Sequence, residues 1–529
     1  MTGEEQQKSL KTLQQQTGEP SPEISSKTSQ ANSMLSYAST NTKKYLETMS
    51  RQDRKKKGQF FTSAETAEYM ANLFSMENVP DEVSILDPGA GTGILSAALV
   101  QRLHMINSIT KISLTCYETD KDVLPTLKAN LDYIKRMCNK AFDYRILEAD
   151  YLLSQADTFE RTILSEAISQ KFDFIIGNPP YLRISKNSDV ALSMPSVVHG
   201  APNLYFLFAS MSLFNLRNNS EMVYIIPRSW TSGAYFKVFR EYFLKHGKIE
   251  YVHLFNSRDK VFDQVLQETM IVKMLKTEDI PDKITLASSQ TSSDFNSSVS
   301  ISIPYKSVVT GDDSYVFLPT SSNDLNVINR INKYKETMPN IGLRMRTGII
   351  VDFRQSDALR KERELDNCPL FYSQHIKNGR VNHNPSGKEF DWVITSKIGL
   401  VQKNKDYIFC KRFTAKEERR RLQCGIYLAA DFSEYKYIGT QNKINFIENI
   451  DGSDMDKAEL YGIFALLNST LFDTYYRLLN GSTQVNSTEI NSIPIPPLPI
   501  IKEIGKRLLM IEDLTTSSCD KILSEVAYG

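Results

Sequence analysis

The feature that most constrains the fold is an alternation of short apolar runs with longer helical stretches between Val83 and Leu275. Short uninterrupted apolar runs are typical of parallel strands buried on both faces, and the stretches between them have the length of crossover helices. The alternation therefore predicts a doubly wound α/β sheet. The expected strands are residues 83–86, 112–117, 144–147, 172–176, 222–226, 251–255 and 268–275, and the expected helices are residues 92–102, 122–138 and 204–216.

The segments on either side of this pattern differ from it in composition. Residues 1–45 are rich in Gln, Ser and Thr, a composition that buries too little apolar surface to offset chain entropy, so a disordered arm is expected. Residues 46–280 are expected to form the α/β domain, and residues 281–529 a second domain of mixed α+β type. In that second domain, the Ser/Thr-rich residues 285–302 are interpreted as a linker or mobile loop, and residues 460–479 as one amphipathic helix.

Charge and cysteine usage limit the classes of partner. The 63 basic and 62 acidic residues give a net charge of +1, so a nucleic-acid partner would need a local basic surface. The six cysteines stand far apart and the six histidines form no ligand-spaced cluster, so no metal site and no disulfide framework are predicted. No signal-peptide core and no apolar run of bilayer length are found, and a cytoplasmic protein without a membrane partner is expected.

A Gly-rich turn joins the first expected strand to the first expected helix. Its residues are Asp87, Pro88, Gly89, Ala90, Gly91, Thr92 and Gly93. Glycines let the backbone pass close to a ligand and begin the next helix at once. The second strand ends at Glu118, where a carboxylate can accept hydrogen bonds from ribose hydroxyls. The third closes on Asp150, which is followed by Tyr151.

Three acids at strand ends beside one Gly-rich turn suit a positively charged cofactor with ribose and adenine groups. S-adenosylmethionine is such a molecule. NAD is the competing interpretation, although the turn lacks the dinucleotide G-x-G-x-x-G spacing. A Walker A site is excluded because no Lys follows the glycines. The sequence therefore predicts S-adenosylmethionine as the cofactor.

The fourth strand ends in Asn178-Pro179-Pro180-Tyr181. The two prolines fix the backbone and remove two N–H donors, which leaves the Asn178 side-chain oxygen and the Pro179 carbonyl as acceptors beside the flat face of Tyr181. An amine conjugated to a ring is a poor nucleophile because its lone pair is delocalised. Two acceptors that hold its N–H groups would favour a more tetrahedral nitrogen and stabilise its developing positive charge. The pattern predicts an amino-methyltransferase, and a rigid turn at a strand end is the alternative.

With these motifs in this order, the chain resembles the gamma class of amino-methyltransferases that act on adenine N6 in DNA, the kind paired with restriction enzymes. The likeness runs from Gly58 to the C-terminus and is most specific in the N-terminal half. It implies a Rossmann-like class I methyltransferase domain with a mostly parallel seven-stranded sheet, followed by a C-terminal mixed α+β domain that recognises the DNA target. It also implies that the base is rotated out of the duplex before transfer.

The resemblance also assigns roles to individual residues. The N-terminal motif ends in Phe60, Phe61 and Thr62, although Ser63 stands where the family usually has Pro. Phe262 lies where the family places an aromatic that packs on the target base, and a core Phe is the alternative. The residues implied for the cofactor are Phe60, Phe61, Thr62, Asp87, Pro88, Gly89, Gly91, Gly93, Glu118, Asp150, Tyr151 and Asn178, and those implied for catalysis are Asn178, Pro179, Pro180, Tyr181 and Phe262.

Duplex DNA requires cations over its phosphates. The candidates in the C-terminal half are Arg344, Arg346, Lys411, Arg412, Arg419, Arg420 and Arg421. The run from Lys416 to Arg421 resembles a charged helix, and a solvated helix face is its alternative interpretation. A monomer is expected, paired in function with a separate restriction endonuclease that it need not bind.

Three other kinds of substrate would be methylated by the same chemistry. Cytosine N4 is also an exocyclic amine, although Ser-Pro-Pro is the commoner motif there. The same tetrapeptide also serves methyltransferases of protein glutamine side chains and of RNA bases, which are usually compact and lack a recognition half of this kind. A DNA-binding module without activity would predict a degraded cofactor motif, whereas every expected residue is present.

Overall fold

The computed structural model describes residues 33–50, 60–162, 170–200, 202–255, 268–311, 314–385, 390–415 and 417–528. Within these ranges the chain forms an N-terminal α/β domain built on one large sheet. A two-stranded sheet follows it, and then a C-terminal domain with sheets of six and five strands and a group of helices. In the described residues no helix is both long enough and apolar enough to cross a membrane.

The large sheet has nine strands among the described residues, in the order β3-β2-β1-β4-β5-β7-β6-β8-β9. β1 to β5 are all parallel, β7 is antiparallel to both β5 and β6, and β9 is antiparallel to β8. The predicted fold class is confirmed. The strands are β1 Glu82–Pro88, β2 Lys111–Tyr117, β3 Ala141–Leu147, β4 Phe172–Gly177, β5 Leu216–Pro227, β6 Lys248–Phe255, β7 Thr269–Leu275, β8 Lys283–Ser289 and β9 Val299–Pro304.

The sheet is larger than the sequence predicted. The linker expected at residues 285–302 is wrong, because β8 and β9 lie there and extend the sheet beyond the predicted domain boundary at 280. Ile284, Leu286 and Ile303 are buried and alternate with Ser and Thr. The Ser/Thr content hid this period of two, since it also fits a loop.

Both faces of the sheet are covered, as a doubly wound fold requires. Successive residues of each central strand enter different cores. In β1, Ile85 belongs to one core and Leu86 to the other, and in β4 Ile175 faces away from Ile176. The helices of this domain are Met34–Thr48, Ala64–Asn72, Ile94–Leu103, Leu124–Met137, Ala156–Thr162, Asp189–Ser193, Leu204–Asn215 and Lys237–His246.

The helix Met34–Thr48 corrects the prediction of a disordered arm for residues 34–45. Ser33 caps it by accepting a hydrogen bond from the Ser36 amide. One stripe of apolar residues, Met34, Leu35 and Ala38, is buried against the helices that flank the first strands. Composition suggested disorder because most of the segment is polar, but a single stripe is enough when a ready core receives it. Residues 1–32 lie outside the described part of the chain.

The C-terminal half has the mixed character that the sequence predicted. One of its sheets has the order β12-β22-β19-β20-β16-β15 and another has the order β13-β17-β14-β21-β18. The remaining strands of the chain are β10 Val309–Thr310, β11 Tyr315–Val316, β12 Leu343–Thr347, β13 Leu359–Arg360, β14 Asn367–Phe371, β15 Ile376–Lys377, β16 Arg380–Val381, β17 Trp392–Ile394, β18 Val401–Lys403, β19 Tyr407–Lys411, β20 Cys424–Tyr427, β21 Tyr437–Thr440 and β22 Ile444–Asn449.

The single helix expected at residues 460–479 is two helices. Ser469 separates them, and its hydroxyl accepts a hydrogen bond from the Phe472 amide as the cap of the second. A Ser can end one helix and begin the next because its side chain replaces the missing backbone partner. The helices from residue 305 onward are Tyr305–Val308, Ser322–Asn332, Lys457–Asn468, Thr470–Leu479, Ser487–Asn491, Leu498–Ile511 and Thr516–Val526.

A short segment joins the two halves and contributes to both cores. Tyr315 and Phe317 are buried in the core of the C-terminal domain, whereas Val316 and Leu318 are buried in the core under the large sheet. Extended backbone sends alternate side chains to opposite sides. The junction is therefore packed on both sides.

Candidate active site

The Gly-rich turn begins at the carboxyl end of β1. The amides of Gly89 and Ala90 both donate to the Tyr117 carbonyl at the end of β2, each at 2.9 Å. Gly93 has a φ of 79° and precedes the helix Ile94–Leu103, and a Cβ there would lie 2.7 Å from a Leu127 methyl group. Only glycine satisfies both conditions. The turn is thus held tightly between two strand ends and a neighbouring helix.

Glu118 is buried beside this turn. Its Oε2 accepts the Gly91 amide at 2.8 Å, and its Oε1 accepts the amides of Thr119 and Asp120, each at 2.8 Å. Burial raises the pKa of this carboxyl above its usual value, while the three amide donors act in the opposite direction. The carboxylate is therefore held in one orientation at the carboxyl end of β2.

Asp150 and Tyr151 follow β3 and differ in exposure. Asp150 is exposed, and its Oδ1 caps the following turn by accepting the amides of Leu152 and Leu153, each at 2.9 Å. Tyr151 is buried, and its hydroxyl lies 3.2 Å from the Ser212 hydroxyl. Burial raises the pKa of this phenol, so it stays neutral.

Asn178 lies at the carboxyl end of β4 and is held by the segment that precedes the second helix. Its Nδ2 donates to the Phe60 carbonyl at 2.6 Å and to the Thr62 hydroxyl at 3.1 Å. Its Oδ1 is buried and has no hydrogen-bond partner within the described residues. A buried amide oxygen without a partner is costly in a folded protein. The arrangement orients an acceptor that a ligand can satisfy.

Tyr181 lies beside this amide with its ring fixed at both ends. Its hydroxyl donates to the Ile225 carbonyl in β5 at 2.9 Å. The Phe60 ring stacks on it with centroids 5.3 Å apart, and the Tyr205 ring meets it edge-on at 6.4 Å. Burial raises the pKa of Tyr181 well above its usual value. Pro179, the other acceptor-bearing residue of the motif, is buried at the base of the turn.

Most of these groups surround one cavity of about 240 Å³, but Pro179 and Tyr181 do not line it. Nine of the residues implied for the cofactor line it, as does Pro180 from the tetrapeptide. The lining consists of Phe60, Phe61, Thr62, Gly89, Ala90, Gly91, Thr92, Ile94, Leu95, Tyr117, Glu118, Thr119, Ala149, Asp150, Tyr151, Asn178, Pro180, Leu204 and Phe208.

Asp87, Pro88 and Gly93 do not line this cavity. Asp87 lies behind the turn, where its Oδ2 accepts the Ser96 hydroxyl at 2.6 Å and its Oδ1 is buried without a partner in the described residues. Burial raises its pKa to about 7. Its side chain is thus bonded to the helix that follows the turn and is not exposed in the wall of the cavity.

Two kinds of contribution to the site were not predicted from the sequence. The first is a set of wall residues outside the predicted motifs, such as Phe208 and Leu204, which reach the cavity from the helix Leu204–Asn215. The second contribution is the helix Met34–Thr48. The Thr42 and Thr92 hydroxyls lie 2.7 Å apart, and Asn130 connects Asn41 to the Thr92 carbonyl through hydrogen bonds of 2.7 and 2.8 Å. A segment expected to be disordered therefore braces the glycine turn.

The residues present fit S-adenosylmethionine. The fixed carboxylate at Glu118 offers acceptors for ribose hydroxyls, and the glycine turn at Gly91 lets a ligand approach the backbone closely. The Asn178 oxygen is an unsatisfied acceptor in the same wall. Aromatic and aliphatic side chains complete the wall, as is usual for small-molecule sites.

Comparison with known proteins identifies the family. Residues 100–262 match the Eco57I restriction-modification methylase family. The chain is 32% identical to the type II methyltransferase M.PstI of Providencia stuartii over 465 residues, which cover 86% of this chain and 90% of the relative. This chain belongs to the type II methyltransferases. It is also 32% identical to M.BsuBI of Bacillus subtilis, over 89% of this chain and 93% of that one.

This type II methyltransferase is thus a DNA methyltransferase of the restriction–modification kind, and the resemblance stated from its sequence is confirmed. Its fold is also that of the type IIL restriction-modification enzyme MmeI, solved in complex with DNA. The two structures superpose with a TM-score of 0.55 at 13% identity, over 93% of this chain and 79% of that one. At that identity the likeness concerns the fold alone.

The methyltransferase does not present all seven predicted DNA-contacting cations on its surface. Arg421 is 1% exposed, and its guanidinium donates to the Ser482 carbonyl at 2.7 Å. Arg420 donates to the carbonyls of Leu467 and Ser469, at the C-terminus of the helix Lys457–Asn468. The burial of Arg421 does not fit a contact with DNA, because the carbonyl of a distant loop uses its donor. Arg420 is half-buried, and its contact with DNA stays a prediction. The run does not form the expected charged helix among its described residues.

The remaining candidates keep some exposure. Arg344 and Arg346 share the Glu448 carboxylate at 2.8 and 3.1 Å, and each is nearly half exposed. Arg412 is half-buried and donates to the Asn442 carbonyl at 3.0 Å, Lys411 is also half-buried, and Arg419 is exposed. Phe262 lies outside the described residues.

Proposed function

We propose that the protein transfers the methyl group of S-adenosylmethionine to the N6 amine of an adenine that has been rotated out of a specific double-stranded DNA sequence. The modification would protect that sequence from a separate, cognate restriction endonuclease. The observation that carries the proposal is the Asn178 amide. Its nitrogen is fixed by the Phe60 carbonyl and the Thr62 hydroxyl, and its buried oxygen has no partner in the described chain.

The chemistry follows from that oxygen. When bound, S-adenosylmethionine supplies an electrophilic methyl group on a sulfonium. The Asn178 oxygen and the Pro179 carbonyl would each accept an N–H of the target amine and stabilise the positive charge that develops on its nitrogen. No base is required before attack, because the proton leaves after the amine has become cationic. The fixed geometry is what makes the acceptors effective, since a preorganised acceptor need not reorient during reaction.

Extrusion of the base costs a few kcal/mol, and an aromatic ring that stacks on the base offsets about 1–3 kcal/mol of this. Among the described residues, Tyr181 is suited to that contact. Its hydrogen bond to the Ile225 carbonyl and the rings of Phe60 and Tyr205 hold its own ring in one plane. Phe262 remains a prediction for the opposite face.

The test is transfer from methyl-labelled S-adenosylmethionine to unmethylated genomic DNA, followed by digestion to nucleosides and mass analysis. Label in N6-methyl-deoxyadenosine is expected. Label in N4-methyl-deoxycytidine would retain the mechanism and change the base. Label only in RNA or protein from an extract would overturn the proposed substrate.

A variant connects the reaction to the proposed residue. Asn178→Ala should reduce transfer below about 1% of wild type, because the amine loses its main acceptor. Cofactor affinity, measured by calorimetry, should stay within about threefold, since the rest of the wall is unchanged. Full activity in this variant would contradict the assigned role.

A further inference from the structure

A glycine of the C-terminal domain lies directly against an arginine of the catalytic domain. Gly481 follows the helix Thr470–Leu479, and Arg228 follows β5. A Cβ placed on Gly481 would lie 2.5 Å from Arg228 Nε and 2.8 Å from its Cγ. Any other residue at position 481 would require one of the two segments to move.

Arg228 cannot easily move away. Its guanidinium forms an ion pair of 2.9 Å with Glu268, in which the two side chains are only 8% and 4% exposed. Its amide also donates to the Glu268 carbonyl at 2.8 Å. Its Nε is buried with no partner among the described residues. A buried charge held by its partner loses much of its stabilisation if it is displaced.

The other side of the contact is equally fixed. Gly481 lies in a loop formed by residues 480–484, the 480–484 loop. The Ser482 amide donates to Asn480 Oδ1 at 2.8 Å, and the Ser482 carbonyl accepts Arg421 Nη2 at 2.7 Å. Asn480 Nδ2 and the Tyr476 hydroxyl both donate to Glu489. The 480–484 loop is thus shaped by buried hydrogen bonds before it meets Arg228.

On the catalytic side, the segment around Arg228 positions the aromatic rings beside Asn178. The Ile225 carbonyl, three residues before Arg228, accepts the Tyr181 hydroxyl. The Ser229 hydroxyl, one residue after it, lies 3.2 Å from the Tyr205 hydroxyl. A displacement of this segment would therefore be transmitted to both rings.

On the recognition side, the far end of the 480–484 loop holds an arginine that the sequence analysis assigned to DNA. Arg412 donates to the Gln484 side chain at 3.4 Å, and its carbonyl accepts the Val485 amide at 2.7 Å. Phe413, whose ring is 45% exposed, forms an isolated bridge with Gln484. The loop thus connects a half-buried arginine and an exposed phenylalanine to the catalytic strand ends.

We propose that Gly481 and Arg228 are positioning residues, whose contact sets where DNA held by the C-terminal domain lies relative to Asn178. The inference rests on the proposed transfer to DNA and adds to it the pair of residues that aligns the two domains. Neither residue lines the cofactor cavity. Their contribution is to alignment, where a displacement of about 1 Å can slow a reaction about 100-fold.

The test compares Gly481→Ala with Gly399→Ala. Gly399 is in the same domain, has no atom within 4 Å of an added Cβ and has no positive φ, so it serves as a matched control. Single-turnover transfer is measured at saturating S-adenosylmethionine, on a duplex carrying the target identified by sequencing the methylated sites. The rate constant reports alignment, and the amplitude reports the fraction of folded enzyme.

Gly481→Ala should lower the rate constant at least about 10-fold, with the amplitude and the affinities for DNA and cofactor within about twofold of wild type. A rate constant equal to that of Gly399→Ala, or a loss confined to the amplitude, would overturn the inference.

If Gly481→Ala is insoluble, Arg228→Lys tests the contact from the other side. This variant keeps a cation for Glu268 but lacks the Nε atom that lies against Gly481. Its rate constant should therefore fall while its amplitude is retained. A wild-type rate constant would again overturn the inference. A wild-type protein that methylates no DNA would refute the proposed function itself, which is a separate result.

Discussion

The hydroxyl of Thr42 lies 2.7 Å from the hydroxyl of Thr92, so the helix Met34–Thr48 is bonded to the Gly-rich turn that walls the cofactor cavity. Both side chains are buried. Thr42 also donates to the Ala38 carbonyl at 2.7 Å, which leaves its oxygen to accept from Thr92. The N-terminal helix is therefore part of the cofactor site although none of its residues lines the cavity.

Replacing Thr42 with Val should weaken both folding and cofactor binding. The Thr92 hydroxyl would lose its acceptor in a buried place, which costs about 1–3 kcal/mol. We expect a lower melting temperature and a cofactor affinity reduced about 3- to 10-fold, measured by calorimetry. The matched control is Thr40→Val on the exposed side of the same helix, where the hydroxyl donates to the Ser36 carbonyl. Equal affinities in the two variants would show that the contact is irrelevant to the site.

Replacing Thr62 with Val should slow methyl transfer. The Asn178 amide would lose one of the two acceptors that orient it, since the Thr62 hydroxyl lies 3.1 Å from Nδ2. A neutral hydrogen bond is worth about 1 kcal/mol, so the single-turnover rate constant should fall about 5- to 10-fold at saturating cofactor. Thr62→Ser keeps the hydroxyl and should stay near wild type. A wild-type rate in the Val variant would mean that the Phe60 carbonyl alone is enough to orient Asn178.

The buried carboxyl of Asp87 should make the stability of the cofactor-free protein depend on pH. Its folded-state pKa is raised to about 7 by burial, whereas an unfolded Asp titrates near 3.8. Between these values the folded state binds more protons, so its stability falls as pH rises from about 4 to 7. Asp87→Asn removes this contribution. As pH rises across that range, the melting temperature of Asp87→Asn should therefore rise relative to that of wild type. A difference that does not change with pH would contradict the assignment.

The arginines of the C-terminal domain should separate into two groups by experiment. Arg421→Met should lower the free energy of unfolding by about 2 kcal/mol or more, because the Ser482 carbonyl and the Thr414 hydroxyl lose a buried donor. Arg419→Ala should leave the melting temperature unchanged. If Arg419 contacts a phosphate, this variant should also reduce the slope of log affinity against log salt by about 1. An unchanged slope in Arg419→Ala would remove that residue from the DNA surface.

The sequence by itself determined the catalytic half to a large extent. Gly89, Glu118, Asp150 and Asn178 each follow a predicted strand, and all four strands are parallel neighbours in the sheet. The carboxyl ends of parallel strands meet at one edge, so local motifs and their order were enough to gather these residues around one cavity. The strand pattern was readable because buried parallel strands leave continuous apolar runs.

Tertiary structure alone decided features that depend on residues far apart in the chain. Charge and composition do not distinguish an exposed arginine such as Arg419 from a buried one such as Arg421. Which arginine is buried depends on the carbonyls that a distant loop brings to it. The polar helix Met34–Thr48 is ordered only because the cavity-forming helices offer its apolar stripe a surface. The contact of Gly481 with Arg228 likewise has no local signal, since a glycine required by close packing and a glycine in an open turn look identical in sequence.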